Sequence, residues 1–249
     1  MREHPRQREL GLGLGLGWMA WALVTACAGC AAAPPPTAAT PAAIEQDSGH
    51  GRATPSMESE IGGLDETKVK QTFQRSSEKL SACYSKGSQR LPYLSGDVRF
   101  VIRIAKDGSA RWAFVKDSSL GDRETETCML AVLKSALWPR PLGGEGLAEN
   151  SFSFEPGGDE RPPVAWRPEQ LGSSYRNAKG ALAQCRRKSG TKGLKATFYV
   201  ETDGKPAAIG VSSADERGEA AVTCIIDALH GLRFNSPGSY ASKVSVTIE

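Results

Sequence analysis

Six cysteines and three histidines carry most of the reactive chemistry open to this 249-residue chain. Thiols can act as nucleophiles, bind zinc or join as disulfides, and an imidazole supplies the base that a Ser-His or Cys-His mechanism needs. His4 and His50 fall outside any foldable pattern, so only His230 lies in a region that can build a core. It stands in "DALHGLRF", near a helix end, where a cation meets the C-terminal carbonyls favourably. Zinc ligation is disfavoured, because the foldable part has no C-x-x-C and no histidine at ligand spacing. Asp122, Glu124 and Glu126 offer carboxylates, but "GDRETET" reads as a solvated, acidic helix start that suits the positive end of the peptide dipoles. No catalytic constellation emerges. The expectation is a chain that is not an enzyme and takes no metal and no cofactor.

What the cysteines do depends on the compartment, and the N-terminus speaks to that. "GLGLGLGWMAWALVTACAGCAAAPPP" follows "MREHPRQREL", which has no strand pattern, so a dinucleotide loop is excluded. The uncharged run before Cys27 is short of the about 20 residues a membrane span needs. A basic start (Arg2, Arg6, Arg8), an apolar stretch and then small residues match an export signal over residues 1–26. "LVTAC" resembles a bacterial lipobox with Cys27 as the lipidated residue. "CAGC", ending at Cys30, is the alternative. A diacylglycerol thioether plus an N-acyl chain meets the two-chain requirement for stable anchoring. An uncleaved anchor would also place the rest outside the cytoplasm. Alanine rather than aspartate after either cysteine leans towards the outer membrane, facing the periplasm.

The elements that position the remaining cysteines can be read next. Residues 27–63 are rich in Ala, Pro, Ser and Gly and are expected to be a disordered tether. "EPGGDERPPVAWRP" marks a second break, a linker over residues 156–168. On either side lie two blocks that look like copies. Val69, Phe73, Ser76, Leu80 and Cys83 recur at steps of 4, 3, 4 and 3, and Leu171, Tyr175, Ala178, Leu182 and Cys185 repeat them. That is one face of a helix ending on a cysteine. Alternating strands follow (Phe100, Ile102, Ile104; Ala196, Phe198, Val200), then Asp-Gly turns at 107–108 and 203–204, which signal hairpins. From Gly108 to Cys128 and from Gly204 to Cys224 is 20 residues, and Trp138 matches Phe234. Second helices are expected over about residues 122–137 and 216–231, each followed by a closing strand. The order is helix, strand, strand, helix, strand.

The first block resembles the AgmX/PglI C-terminal domain, a relative of the TonB C-terminal fold. The features that carry the resemblance are Cys83-Tyr84, Gly96 at a strand opening, the Asp-Gly turn, "SSLGD", Cys128, "WPRP" and the final "FSF", over residues 64–155. Residues 169–249 fit as a diverged copy, with Arg186 after the first cysteine and "FNSP" in place of "WPRP". The resemblance implies an α+β fold of two tandem α-β-β-α-β modules. Each would pack two helices on one face of a three-stranded antiparallel sheet. It places the chain among bacterial envelope proteins, some of them in gliding-motility systems, and it implies no reaction.

Outside the cytosol an even set of cysteines at repeated spacing reads as disulfides. Pairing within blocks gives Cys83–Cys128 and Cys185–Cys224, with four buried free thiols as the alternative. A sheet with helices on one side leaves its other face open. There Val101, Trp112 and Phe114 are the candidate partner-binding residues, unless the linker or the second block covers them. The sheet edge could also accept a partner strand, as TonB-like domains do. Residues 161–195 carry nine Lys/Arg against one acid, Glu169, and could meet anionic headgroups or acidic polymers if they are not a plain solvated face. A net charge of +3 is too balanced to argue for nucleic acid. The expected role is an envelope lipoprotein held through its N-terminal lipid and binding another envelope protein or a cell-wall component. A passive spacer or oligomeric scaffold is the alternative.

Overall fold

A computed structural model describes residues 62–249. The signal at 1–26, the lipidation candidates Cys27 and Cys30, and nearly all of the tether at 27–63 lie outside the described residues.

Helix α1 (Glu66–Arg90) starts at Asp65, whose carboxylate accepts the Lys68 amide at 3.1 Å. Its stripe of Phe73, Ser76, Leu80, Cys83 and Gly87 is buried. Strands β1 (Gly96–Ile104) and β2 (Ala110–Ser118) form an antiparallel hairpin, α2 (Arg123–Lys134) follows, and β3 (Gly146–Phe154) pairs antiparallel on the far side of β1. The sheet order is β2-β1-β3. Phe100, Ile102 and Ile104 point into the core beneath α1 and α2, as their alternation predicts. Gly87 has no side chain to keep Thr125 of α2 away, so the two helices approach closely enough for Cys83 and Cys128 to be disulfide-bonded.

The second half opens with a short strand, β4 (Val164–Trp166), in the segment expected to be a plain linker. A 3₁₀ turn (Pro168–Leu171) leads into α3 (Ser173–Ser189). β5 (Leu194–Val200), β6 (Pro206–Ser213), α4 (Glu219–His230) and β7 (Ser242–Ile248) follow. Cys185 and Cys224 are bonded between α3 and α4. The sheet order is β4-β7-β5-β6, and β4 runs parallel to β7. The molecule is therefore α+β, with one three-stranded antiparallel sheet and one four-stranded mixed sheet. The second sheet departs from the expected three strands because extended, proline-flanked backbone ahead of α3 finds unpaired groups on the β7 edge.

The Asp-Gly turns explain the matched aromatics. Gly108 and Gly204 have φ of +89° and +82°, values that exclude most side chains. The Gly108 carbonyl accepts the Trp138 amide at 3.0 Å, and the Gly204 carbonyl accepts the Phe234 amide at 2.8 Å. Each hairpin tip is thus tied to the chain leaving the second helix, and the aromatic enters the core there.

The two sheets belong to one compact unit. The helix-free face of the second sheet receives the end of the first half. Tyr199 of β5 is wholly buried. Its hydroxyl donates to the Leu120 carbonyl at 2.9 Å and accepts the Ser95 amide at 3.2 Å. Thr197 donates to the Ser118 carbonyl at 3.1 Å, and Arg123 pairs with Glu219 at 2.6 Å. Contact here requires small residues on β6. A Cβ on Gly210 would stand 2.9 Å from Gly121 Cα and 3.0 Å from the Asp122 amide. Ala208 and Gly210 occupy the places that Trp112 and Phe114 hold in the first half, and their smallness makes the seat.

Candidate functional site

The helix-free face of the first sheet is not the open apolar patch expected of Val101, Trp112 and Phe114. Val101 and Phe114 are each only 4% exposed, and Trp112 is half-buried with its ring 5.6 Å from that of Phe114. The correction has a local cause. Arg103 lies across from Trp112 and Glu149 across from Val101. Glu149 pairs with Lys116 at 2.7 Å and with Arg99 at 3.5 Å, and Glu145 pairs with Arg103 at 2.7 Å and with Arg111. Charged residues of all three strands therefore share this face with the apolar side chains and pair across it. Strand alternation assigns residues to a face but does not count the neighbours that shield them.

The acidic helix start also differs from its expectation. Glu124 is exposed, but Asp122 is buried, pairing with Arg90 at 2.8 Å and accepting from Thr125 at 2.6 Å. Glu126 is fully buried between the halves. One of its oxygens accepts from Ser118 at 2.6 Å and the other has no hydrogen-bond partner. Burial pushes its carboxyl up to about 7, against the pull of Ser118 and Arg123. The carboxyl lies against the backbone of β6 at Gly210, an internal contact between the halves. His230 is exposed at the end of α4. Among the described residues, no three His, Cys, Asp or Glu side chains gather as metal ligands, and no helix is long and apolar enough to cross a membrane.

What remains open is a strand edge with a groove beside it. In the second half, β4 lies along β7, pairing Val164 with Ser242 and Trp166 with Val244, and Trp166 packs on the core. In the first half, β3 is an edge strand, and no described strand pairs with its outer side. Between α1 and this edge run two adjoining cavities of about 260 and 370 Å³ that share Lys70, Phe73 and Asn150. Leu64 and Val69 line one end and Phe152 the other. The Phe73 and Phe152 rings stand 5.9 Å apart. Leu64 precedes Phe73 by the same nine residues that separate Trp166 from Tyr175, and each packs against the core of its own half. The matching second-half cleft, about 570 Å³, lies beyond β4 between Tyr175, Lys179 and the free end of β7.

Sequence reasoning missed β4 because three residues between prolines are too few for periodicity to register. The Val-Ala-Trp triplet amid polar residues was the available signal. No family model, curated protein or solved structure matches the chain.

Proposed function

We propose that this chain is a non-catalytic lipoprotein of a bacterial envelope, lipidated at Cys27 or Cys30. Its two TonB-like modules display strand edges to an extended segment of another envelope protein or a cell-wall component. The two disulfides support an oxidising compartment. The resemblance of residues 64–155 to the AgmX/PglI domain supports the module reading and, through it, a place in a motility or transport-related complex.

One observation carries the binding role. The chain already adds an extended segment to its own β7, in parallel, with the aromatic Trp166 packed on the core beside it. The β3 edge offers the same backbone groups beside a floor that includes Phe73 and Phe152. Main-chain pairing there would supply affinity, and Phe73 and Phe152 would select side chains.

A photo-crosslinking residue at Asn150, in the groove, tests this in native cells against one at exposed Lys106. The expected result is a discrete adduct to a second protein from position 150 and none from position 106. Matching patterns from both positions, or adducts only within the chain, would favour the passive spacer. The burial of Val101 and Phe114 fits that rival.

A further inference from the structure

We infer that the outer face of α3 lies against the anionic headgroups of a bilayer, an inference that rests on the envelope reading for its location. Charge in this molecule is segregated. α3 carries Arg176, Lys179, Arg186, Arg187 and Lys188 with no acid, while the whole chain nets only +3, so everything else together is net negative. The run without an acid continues through Lys192 to Lys195. α1, its counterpart, interleaves Glu66 and Glu78 with its cations.

Arg176, Lys179, Arg187, Lys188 and Lys192 are exposed, and none is in an ion pair among the described residues. Lys179 leans over the Tyr175 ring at 5.6 Å and shares its cleft with Glu169 and Glu249, so it belongs to the margin of the surface. Arg186 is half-buried, and Lys195 is taken by Asp117. The centre of the surface is Arg176, Arg187 and Lys188.

The shape of the face selects the occupant. Arg176, Gly180, Ala183 and Arg187 fall on one stripe of the helix, the arginines about 16 Å apart along its axis. Gly180 has nothing within 4 Å of where its Cβ would be, so the middle is low and open. Gly180 and Ala183 also line the cleft that holds Glu169 and Glu249, and the exposed Arg176 and Arg187 present their charge to a plane of headgroups from either side of it. Tyr175 is the only aromatic on α3 and is buried, so the face has no ring on which a nucleic-acid base could stack. A basic cluster near an anionic leaflet gains attraction with each Lys or Arg, and that attraction fades within a Debye length.

The test uses the mature chain from residue 27 with Cys27→Ser and Cys30→Ser, so that neither the apolar signal nor a lipid is attached. It is co-sedimented with phosphatidylcholine vesicles and with vesicles containing phosphatidylglycerol. Its partner is the same protein carrying Arg176→Gln, Arg187→Gln and Lys188→Gln. The expected result is a preference for anionic vesicles that the triple substitution lowers roughly 100-fold. That preference should vanish at about 1 M salt. Circular dichroism and the disulfides should be unchanged by the substitutions. Equal partition of the parent into both vesicles, or a triple variant that keeps the preference, would overturn the inference. So would tighter binding to a DNA duplex than to the vesicles at the same salt. Free Cys83, Cys128, Cys185 and Cys224 thiols in native protein would instead remove the envelope reading, independently of the vesicle result.

Discussion

An oxygen of Glu126, on the second helix of the first half, lies 2.6 Å from where a Cβ of Gly210 would stand on the second sheet. One residue brings a full carboxyl group into the contact and the other brings no side chain. Their meeting shows that the two halves are fitted to each other rather than strung on a linker.

The carboxyl makes this contact sensitive to pH. Burial holds Glu126 at about 7 instead of its ordinary 4.5, Asp122 and Glu219 repel its charge, and Ser118 and Arg123 offset part of the effect. Below pH 4.5 the group is protonated in both folded and unfolded chains. As pH rises towards 7 the unfolded chain ionises first, so stability falls across that window and then levels. A shift of this size corresponds to about 3 kcal/mol. Urea unfolding at intervals from pH 5 to 7.5 should show the decline in the parent. Glu126→Gln should flatten it and be more stable than the parent at pH 7.5. Parallel pH profiles would mean the carboxyl does not titrate in this range. The window stops below 8 because burial also lowers Lys243 to about 8, and that group acts with the opposite sign between 8 and 10.5.

Gly210 can be tested against a glycine in open space. Gly210→Ala places a methyl against backbone at Gly121 and Asp122, which can yield only if the halves separate. The expected loss is about 1–3 kcal/mol, the usual range for overpacking. Gly180→Ala, on the exposed face of α3, meets nothing and should stabilise by about 0.5–1 kcal/mol. Denaturant midpoints of the two variants should move in opposite directions. A Gly210→Ala midpoint equal to that of the parent would show that the seat on β6 is loose.

The disulfides close loops of 45 and 39 residues. In the chain-entropy model each constrains the unfolded state by about 4 kcal/mol, and measured effects run about 2–4. Substituting Cys83 and Cys128 together by Ser should therefore lower the unfolding free energy by about 2–4 kcal/mol. The same pair of changes at Cys185 and Cys224 should do likewise. Peptide mapping of unreduced native protein should recover only these two links. A cross-link between the halves would falsify the pairing, and an unchanged stability on reduction would deny its structural weight.

Much of the architecture was legible because it is written in short periods. The 4, 3, 4, 3 spacing from Val69 to Cys83 and from Leu171 to Cys185 placed both first helices and both bonds. The Asp-Gly pairs placed both hairpins, and Trp138 and Phe234 marked where those hairpins are tied. The site was less legible. Val101 and Phe114 lie on the face that alternation assigns, but both are buried there and ion pairs cross between the strands, which no local pattern reports. Asp122 and Glu126 look like any acidic helix start until Arg90, Ser118 and the second sheet are brought around them. Ala208 and Gly210 stand at the places of Trp112 and Phe114 in the first block, a difference between the copies that the sequence carries. Only packing showed that the difference is a seat for the other half.

The sequence alone determined what depends on neighbours along the chain: helix faces, strand alternation, turn chemistry, the repeat, and the cysteines that a repeat can join. Tertiary structure decided which faces stay wet, which carboxyl is stranded inside, that an unpromising linker triplet becomes a strand, and that one sheet edge is closed while its counterpart is open. The reason is physical. Backbone and rotamer preferences act over a few residues, whereas burial depends on surfaces from distant parts of the chain that meet only after folding.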